Sequence, residues 1–313
     1  MLAPAVFKGI HWFKPYIDIC RVESWLSWVF GFALGAVSFS SLLLGQSIAI
    51  FFAFSFATAS IFVLNQYFDR QADEKNKLKS NLPIASGRIS PCNALIFSFL
   101  LIISCFVLVY MVDINLSLPL FVYLALWALY SAPTPRLKSM PVIDFITSGV
   151  GAGFLPFFIG SSVPHQPSVS ISLIILATTP LTLFHCGAHI IQTIGDYEAD
   201  REAGVRTFVV RYGRKKGVTI AGLTFLLAFL FPFMCLFTGL VSPDHIIFFT
   251  VLLLLSIPSL LRFWHLYKNP CSSSVVSLQK SVRKYGILVL IIAWIYVLIT
   301  KSVFTGLQWD RII

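Results

Sequence analysis

The sequence predicts an all-α integral membrane protein, a bundle of about nine transmembrane helices with its active-site loops on the cytoplasmic side. Three observations predict it. Hydrophobic residues make up 57% of the 313-residue chain and charged residues only 12%, with a mean hydropathy of +0.85. A soluble domain carries about 25% charge, so this chain has too little to cover a water-facing surface. The apolar residues gather into runs of helical length, and the basic residues collect in alternate connections. Hydrocarbon is the solvent such a chain is built for, and only helices and closed barrels satisfy their own backbones there.

The apolar runs fall at about 24–41, 47–64, 94–112, 116–130, 142–159, 171–194, 218–240, 245–266 and 285–305. Several are shorter than the ~20 residues that cross a bilayer upright, which predicts tilt or extension into the loops. Residues 1–20, with Lys8 and Lys14 among apolar neighbours, predict an amphipathic segment on the membrane surface rather than a cleavable signal. Residues 1–313 read as a single transmembrane domain.

Of the 23 Lys and Arg, 21 lie in segments 1–23, 65–93, 131–141, 195–217 and 262–284. The intervening connections 42–46, 113–115, 160–170 and 241–244 hold none. The positive-inside rule then puts the N-terminus and the long basic loops in the cytoplasm of a multi-pass cell-membrane protein, and the C-terminus outside. The net charge of +10 therefore points to membrane lipids and not to nucleic acid. The six cysteines, Cys20, Cys92, Cys105, Cys186, Cys235 and Cys271, form no CxxC or CxxH, which argues against zinc or a disulfide framework.

Chemistry concentrates in two loops, 65–93 and 195–217. The first opens NQYFDRQADEKNK, with Asn65, Asp69 and Asp73 spaced four and four; the second opens QTIGDYEADREAG, with Gln192, Asp196 and Asp200 at the same spacing. At 3.6 residues per turn each trio lies along one helical face. Carboxylates at a bilayer cost several kcal/mol unless partnered, so four of them on two stripes are a functional signal. Hard oxygen donors suit Mg²⁺, which keeps several waters and shares its remaining sites with substrate phosphates. A bound divalent cation also removes the repulsion among the acids. The bland reading, solvated acids paired with nearby Arg and Lys, would account for one motif but not for two of identical spacing.

The ordered set resembles the UbiA-type superfamily of intramembrane prenyltransferases. NxxxDxxxD after the second helix and DxxxD after the sixth are its paired motifs. NLPIASGRIS (Asn81 to Ser90), YSAPTPRLK (Tyr130 to Lys138) and REAGVRTFVVRYG (Arg201 to Gly213) are similar to its following stretches. The chain departs from the pattern at Gln66, where an Asp is usual, at Leu82 and Ala85 in the loop, and at Val22 after Arg21.

The resemblance implies transfer of a polyprenyl group from an allylic prenyl diphosphate to an aromatic quinone precursor or a lipid. A prenylglycerol phosphate acceptor, as in digeranylgeranylglyceryl phosphate synthases, is the alternative. Asp69, Asp73, Asp196 and Asp200 would hold Mg²⁺, as two ions bridging the diphosphate, while Asn65 and Gln192 orient ligands. Arg21, Arg70, Lys75, Lys138 and Arg206 would clamp the diphosphate, with Tyr130 as a hydrogen-bond donor. His185 and His189 continue the stripe of Gln192 into the bilayer, and His189 would meet the acceptor. Interhelical hydrogen bonding is the plainer role for both. A transporter relaying ions through carboxylates is the rival from another class. Such sites lie near the midplane on Gly/Pro-broken helices, whereas these acids sit at helix ends beside phosphate-suited cations.

Overall fold

The computed structural model describes residues 13–39, 44–76, 79–163 and 170–300, and among them no strand occurs. After a helix at 13–20, the principal helices are α1 (Leu26–Phe39), α2 (Leu44–Lys75), α3 (Pro91–Val112), α4 (Ser117–Ser131) and α5 (Ile143–Ser161). They continue with α6 (Ile171–Gly195), α7 (Arg214–Phe237), α8 (Ile246–Lys268) and α9 (Ser272–Thr300). Seven helices, α2 to α8, are long and apolar enough to cross a membrane by length and composition. The other two expected spans are helical as well, α1 with only 14 residues and α9 opening on three serines.

Two differences from the sequence expectation bear on function. The second span is expected at 47–64, yet α2 runs for 32 residues and carries the first motif on its last turns. At 1.5 Å per residue α2 measures about 48 Å, well beyond a ~30 Å hydrocarbon core, so the motif lies past the apolar run on an unbroken helix. The last span is expected from 285, but α9 begins at Ser272. Its first turns are too polar to register as an apolar run, and they are helical because Val275 and Leu278 bury against Ile190, Ile194 and Val209.

The chain forms two compact units, Met1–Val29 with Leu42–Leu137, and Phe30–Ser41 with Lys138–Ile313. In the first unit α3 packs along α2. Ser90 caps α3, accepting from the Asn93 N–H at 3.2 Å, and Pro91 stands at the first turn, where its missing N–H costs nothing. Ile19, Val63, Ile84, Ile89 and Ala94 form one core cluster, so the helix at 13–20 is built into the unit. Higher up, Tyr123 and Thr58 share a 3.1 Å hydrogen bond across α4 and α2, the kind of polar contact that joins helices in lipid. Trp28 stacks on Trp127 with centroids 4.7 Å apart. The opposite face of α3 exposes Ile96, Phe99, Leu100, Ile103 and Val107, with Ser104 among them, and is predominantly apolar, as suits a lipid-facing surface.

In the second unit α5 is drawn close to its neighbours by small residues. A Cβ on Gly35 would overlap the Phe157 carbonyl, and one on Gly160 the Phe32 carbonyl. One on Gly153 would stand 2.7 Å from Thr182 Cα, so α6 presses on α5 where the latter carries a π-helical stretch, Val150–Phe154. Such close approach of backbones is how helices associate where no hydrophobic effect separates protein from solvent.

Candidate active site

The first motif sits at the end of α2 in the first unit. Asn65 donates through Nδ2 to Asp69 Oδ2 at 2.9 Å and to Ser131 Oγ, at the end of α4, at 3.2 Å. The guanidinium of Arg136 lies 3.7 Å from the other oxygen of Asp69. Asp69 is thus held on both oxygens, by a neutral donor one turn back and by a cation from the α4–α5 turn. Arg136 has a φ of 55°, in the left-handed region that a non-glycine residue rarely adopts. Asp73 follows one turn later and is buried, 7% exposed. The spacing of four therefore does place Asn65, Asp69 and Asp73 in succession along one continuous helix.

The other first-unit candidates are spread around this end. Arg70 folds back on its own helix, donating to the Tyr67 carbonyl at 2.9 Å and lying 5.1 Å from that ring. Lys75 is exposed at the helix terminus. Arg21 lies over the Phe62 ring at 5.7 Å, and Tyr130 is buried edge-on to Trp127. Gln66, the departure from the family pattern, is engaged with backbone carbonyls. It is 1% exposed and donates to the Ile19 carbonyl at 2.7 Å. An ionised Asp could not make that bond, since both partners would be acceptors.

The second motif, in the second unit, is built differently. Helix α6 ends at Gly195, Asp196 turns with ψ near 1°, and a short helix Tyr197–Glu202 continues the chain. The one-turn register survives the break, because Asp196 N–H donates to the Gln192 carbonyl at 3.1 Å and Asp200 N–H to the Asp196 carbonyl at 2.8 Å. The short helix closes on Gly204, φ 69°, with Val205 N–H reaching the Asp200 carbonyl at 2.8 Å and Gly204 N–H the Arg201 carbonyl at 3.3 Å. These paired bonds are the Schellman ending that glycine permits, and they explain the AGV of the sequence. Around the break, Ser272 Oγ donates to the Gly195 carbonyl at 3.1 Å, and Arg214 meets Glu198 at 2.9 Å while covering the Tyr197 ring at 4.4 Å.

Of the remaining candidates, Gln192 and Arg206 are exposed, His189 is half-buried and His185 is buried. Lys138 is buried in the turn Leu137–Ser139. Asp196 and Asp200 are both half-buried. No three His, Cys, Asp or Glu side chains converge among the described residues. An ion held by these motifs would therefore take most of its oxygens from water or from an anionic ligand, which is how Mg²⁺ is commonly bound. The donor type, carboxylate and amide oxygen without sulfur or imidazole at the motif, fits that ion.

Sequence reading passes over three residues. Arg136 looks like any basic residue of its loop, and Ser131 like a helix-end serine. Asp144 lies inside an apolar run, where an acid is itself a signal.

Fold and motifs together define an all-helical membrane protein with paired acidic motifs at helix ends. The profile of the UbiA prenyltransferase family matches residues 24–279, and the chain belongs to that family. It is 27% identical over 288 residues to a digeranylgeranylglyceryl phosphate synthase of Methanobrevibacter smithii, covering 90% of this chain and 96% of that one. It is 27% identical over 238 residues to a 4-hydroxybenzoate octaprenyltransferase of Haemophilus ducreyi, covering 75% and 81%. A solved UbiA homologue from Archaeoglobus fulgidus, bound to DMAPP and Mg²⁺, shares the fold with a TM-score of 0.67 at 19% identity, covering 88% of this chain and 98% of that one.

Proposed function

We propose that the chain transfers a prenyl group from an allylic prenyl diphosphate to an aromatic or lipid acceptor, with Asp69, Asp73, Asp196 and Asp200 holding Mg²⁺. The observation that carries this reading is the Asn65–Asp69–Arg136 arrangement. One carboxylate is fixed in orientation by an amide and flanked by a cation, at the end of a helix whose remainder is apolar. When bound, Mg²⁺ neutralises the diphosphate and makes it a better leaving group. Asn65 keeps Asp69 turned toward its ligand, so little reorganisation is needed as charge develops. Arg136 supplies a cation at the same place, and Arg21, Arg70, Lys75, Lys138 and Arg206 add positive charge for the phosphates. Tyr130 donates a hydrogen bond. Gln192 orients ligands of the second motif, and His189 faces the acceptor. The apolar helix bodies keep water from an allylic cation. The basic loops are placed on the cytoplasmic face by their charge.

A lipid acceptor is the second reading, favoured by the near full-length match to a digeranylgeranylglyceryl phosphate synthase. The deciding experiment incubates detergent-purified protein with one labelled donor, Mg²⁺ and a panel of 4-hydroxybenzoate, naphthoate and prenylglycerol phosphate acceptors, and identifies products by mass spectrometry. Turnover that EDTA abolishes and Mg²⁺ restores supports the reading, and the product names the acceptor. No product with any acceptor, beside ion flux in proteoliposomes, would establish the transporter instead.

A further inference from the structure

Asp144 stands two residues into α5, 0% exposed, an acid inside an otherwise apolar run. Its Oδ2 accepts the backbone N–H of Phe208 at 2.7 Å. Phe208 opens the short helix Phe208–Tyr212, which Thr207 caps by accepting from Val210 N–H at 3.3 Å. The neighbouring side chains confirm the contact, Phe145 meeting Phe208 edge-on with centroids 5.4 Å apart.

The consequence falls on the loop between. Its upstream end is pinned by the Val205 N–H bond to the carbonyl of Asp200, and its downstream end by Asp144 at Phe208. Val205 and Thr207 are buried, and Arg206 between them is exposed. A buried carboxylate is a costly way to hold the N–H of a residue in another loop unless the position of that loop matters.

We propose that Asp144 is a positioning residue for the second motif: it fixes the segment Asp200–Phe208 so that Arg206 meets the anionic donor from one place. The proposal rests on the prenyl-transfer reading for its ligand, but the anchoring itself does not. Replacing Asp144 by Ala should free the segment, raising the donor KM by about tenfold with kcat changed far less, because a mobile cation loses pre-organised binding. Asp144→Asn keeps an oxygen for the Phe208 N–H and should bring KM back to within about threefold of wild type, since the acceptor and not the charge is what the loop uses. In an Arg206→Ala background the Asp144→Ala change should add almost nothing to KM, as residues acting through one another are non-additive.

The second readout needs no substrate. Trypsin cleavage after Arg206 requires local opening, so the full chain in detergent should resist it in the wild type and in Asp144→Asn, and be cut there in Asp144→Ala. If Asp144→Ala cannot be extracted folded, Thr207→Ala loosens the same short helix and should show both effects in smaller measure. Lower thermal stability with unchanged donor KM and no new cut after Arg206 would overturn the proposal, leaving Asp144 a packing residue. Asp144→Asn behaving like Asp144→Ala would overturn it too, by making the charge the active element. Should the wild type transfer no prenyl group at all, the functional reading fails while the proteolysis arm still decides the anchoring.

Discussion

In the first unit the acid motif rides on one unbroken helix, and side chains hold it: Asn65 on one oxygen of Asp69, Arg136 beside the other. In the second unit the same spacing crosses a helix break, and backbone bonds hold it. Asp196 and Asp200 keep their register through main-chain N–H groups, a Schellman glycine closes the turn, and Ser272 braces the Gly195 carbonyl. Identical sequence spacing has been reached by two constructions. The first orients functional groups directly, so substitution there changes chemistry. The second must also carry the path of the chain across a break, which main-chain bonds and the Ser272 hydroxyl do. The contrast makes distinct demands on mutants of the two units.

The largest effect should fall on the acids themselves, equally in both units. Asp69→Ala, Asp73→Ala, Asp196→Ala and Asp200→Ala should each lower prenyl transfer by at least about a hundredfold, the scale of losing a preorganised electrostatic group. Each variant should remain extractable in detergent and folded by circular dichroism. Near wild-type turnover in both acids of either unit would end the equivalence of the motifs.

The next effect separates the units. Asn65→Ala and Arg136→Ala should cost about 10–100-fold in turnover, since each touches Asp69 directly and charged hydrogen-bonding groups contribute on that scale. Ser272→Ala should cost only a few-fold, because one neutral hydrogen bond to a carbonyl is worth about 1 kcal/mol. Steady-state assays of the three side by side test the comparison, and Ser272→Ala as damaging as Arg136→Ala would break it.

This asymmetry also explains what sequence can and cannot reveal here. The trios are legible because helical period turns a spacing of four into one face, whichever construction supports it. Arg136 is not, since the positive-inside rule already accounts for a basic residue in its loop, and only the fold brings it to Asp69. Gln66 stands out as a departure from the family pattern, but nothing in the pattern says that it faces Ile19. The opening turns of α9 are missed because serines hide a helix from hydropathy, although Val275 and Leu278 carry its buried face. Asp144 is the one omission with a visible signal, an acid in an apolar run.

Gln66 gives a milder test in the first unit, on stability rather than chemistry. Gln66→Asp restores the usual family residue, but it sets a short acceptor against the Ile19 carbonyl in a site that is 1% exposed. Losing the bond and burying an unpaired polar group should cost about 1–3 kcal/mol. A lowered melting point in detergent, with residual activity only a few-fold reduced below that temperature, is the expected result. Full activity loss at low temperature would mean that Gln66 belongs to the chemistry after all.

The smallest effect should come from the brace of the second motif, reached through Cys271. This thiol sits 3.1 Å from the Ser273 hydroxyl and 3.3 Å from that of Ser274. Hydroxyl donors stabilise a thiolate, and they pull the Cys271 thiol down from its ordinary range to about 7. A group whose value is lowered is ionised earlier as pH rises, so the maleimide rate at Cys271 should climb through pH 7 and level off near pH 8. An ordinary thiol would still be climbing there. Mass analysis separates this label from any on the exposed Cys92, and Cys271→Ser removes it alone. Cys271 adjoins Ser272, whose hydroxyl holds the Gly195 carbonyl, so the adduct should disturb the path of the chain at the second motif. Because that motif is held through backbone at several points, turnover of the labelled enzyme should fall only about two- to threefold, close to the loss in Ser272→Ala. Labelling that silences the enzyme would show the second motif to depend on single contacts as the first does, and the two constructions would no longer differ in kind.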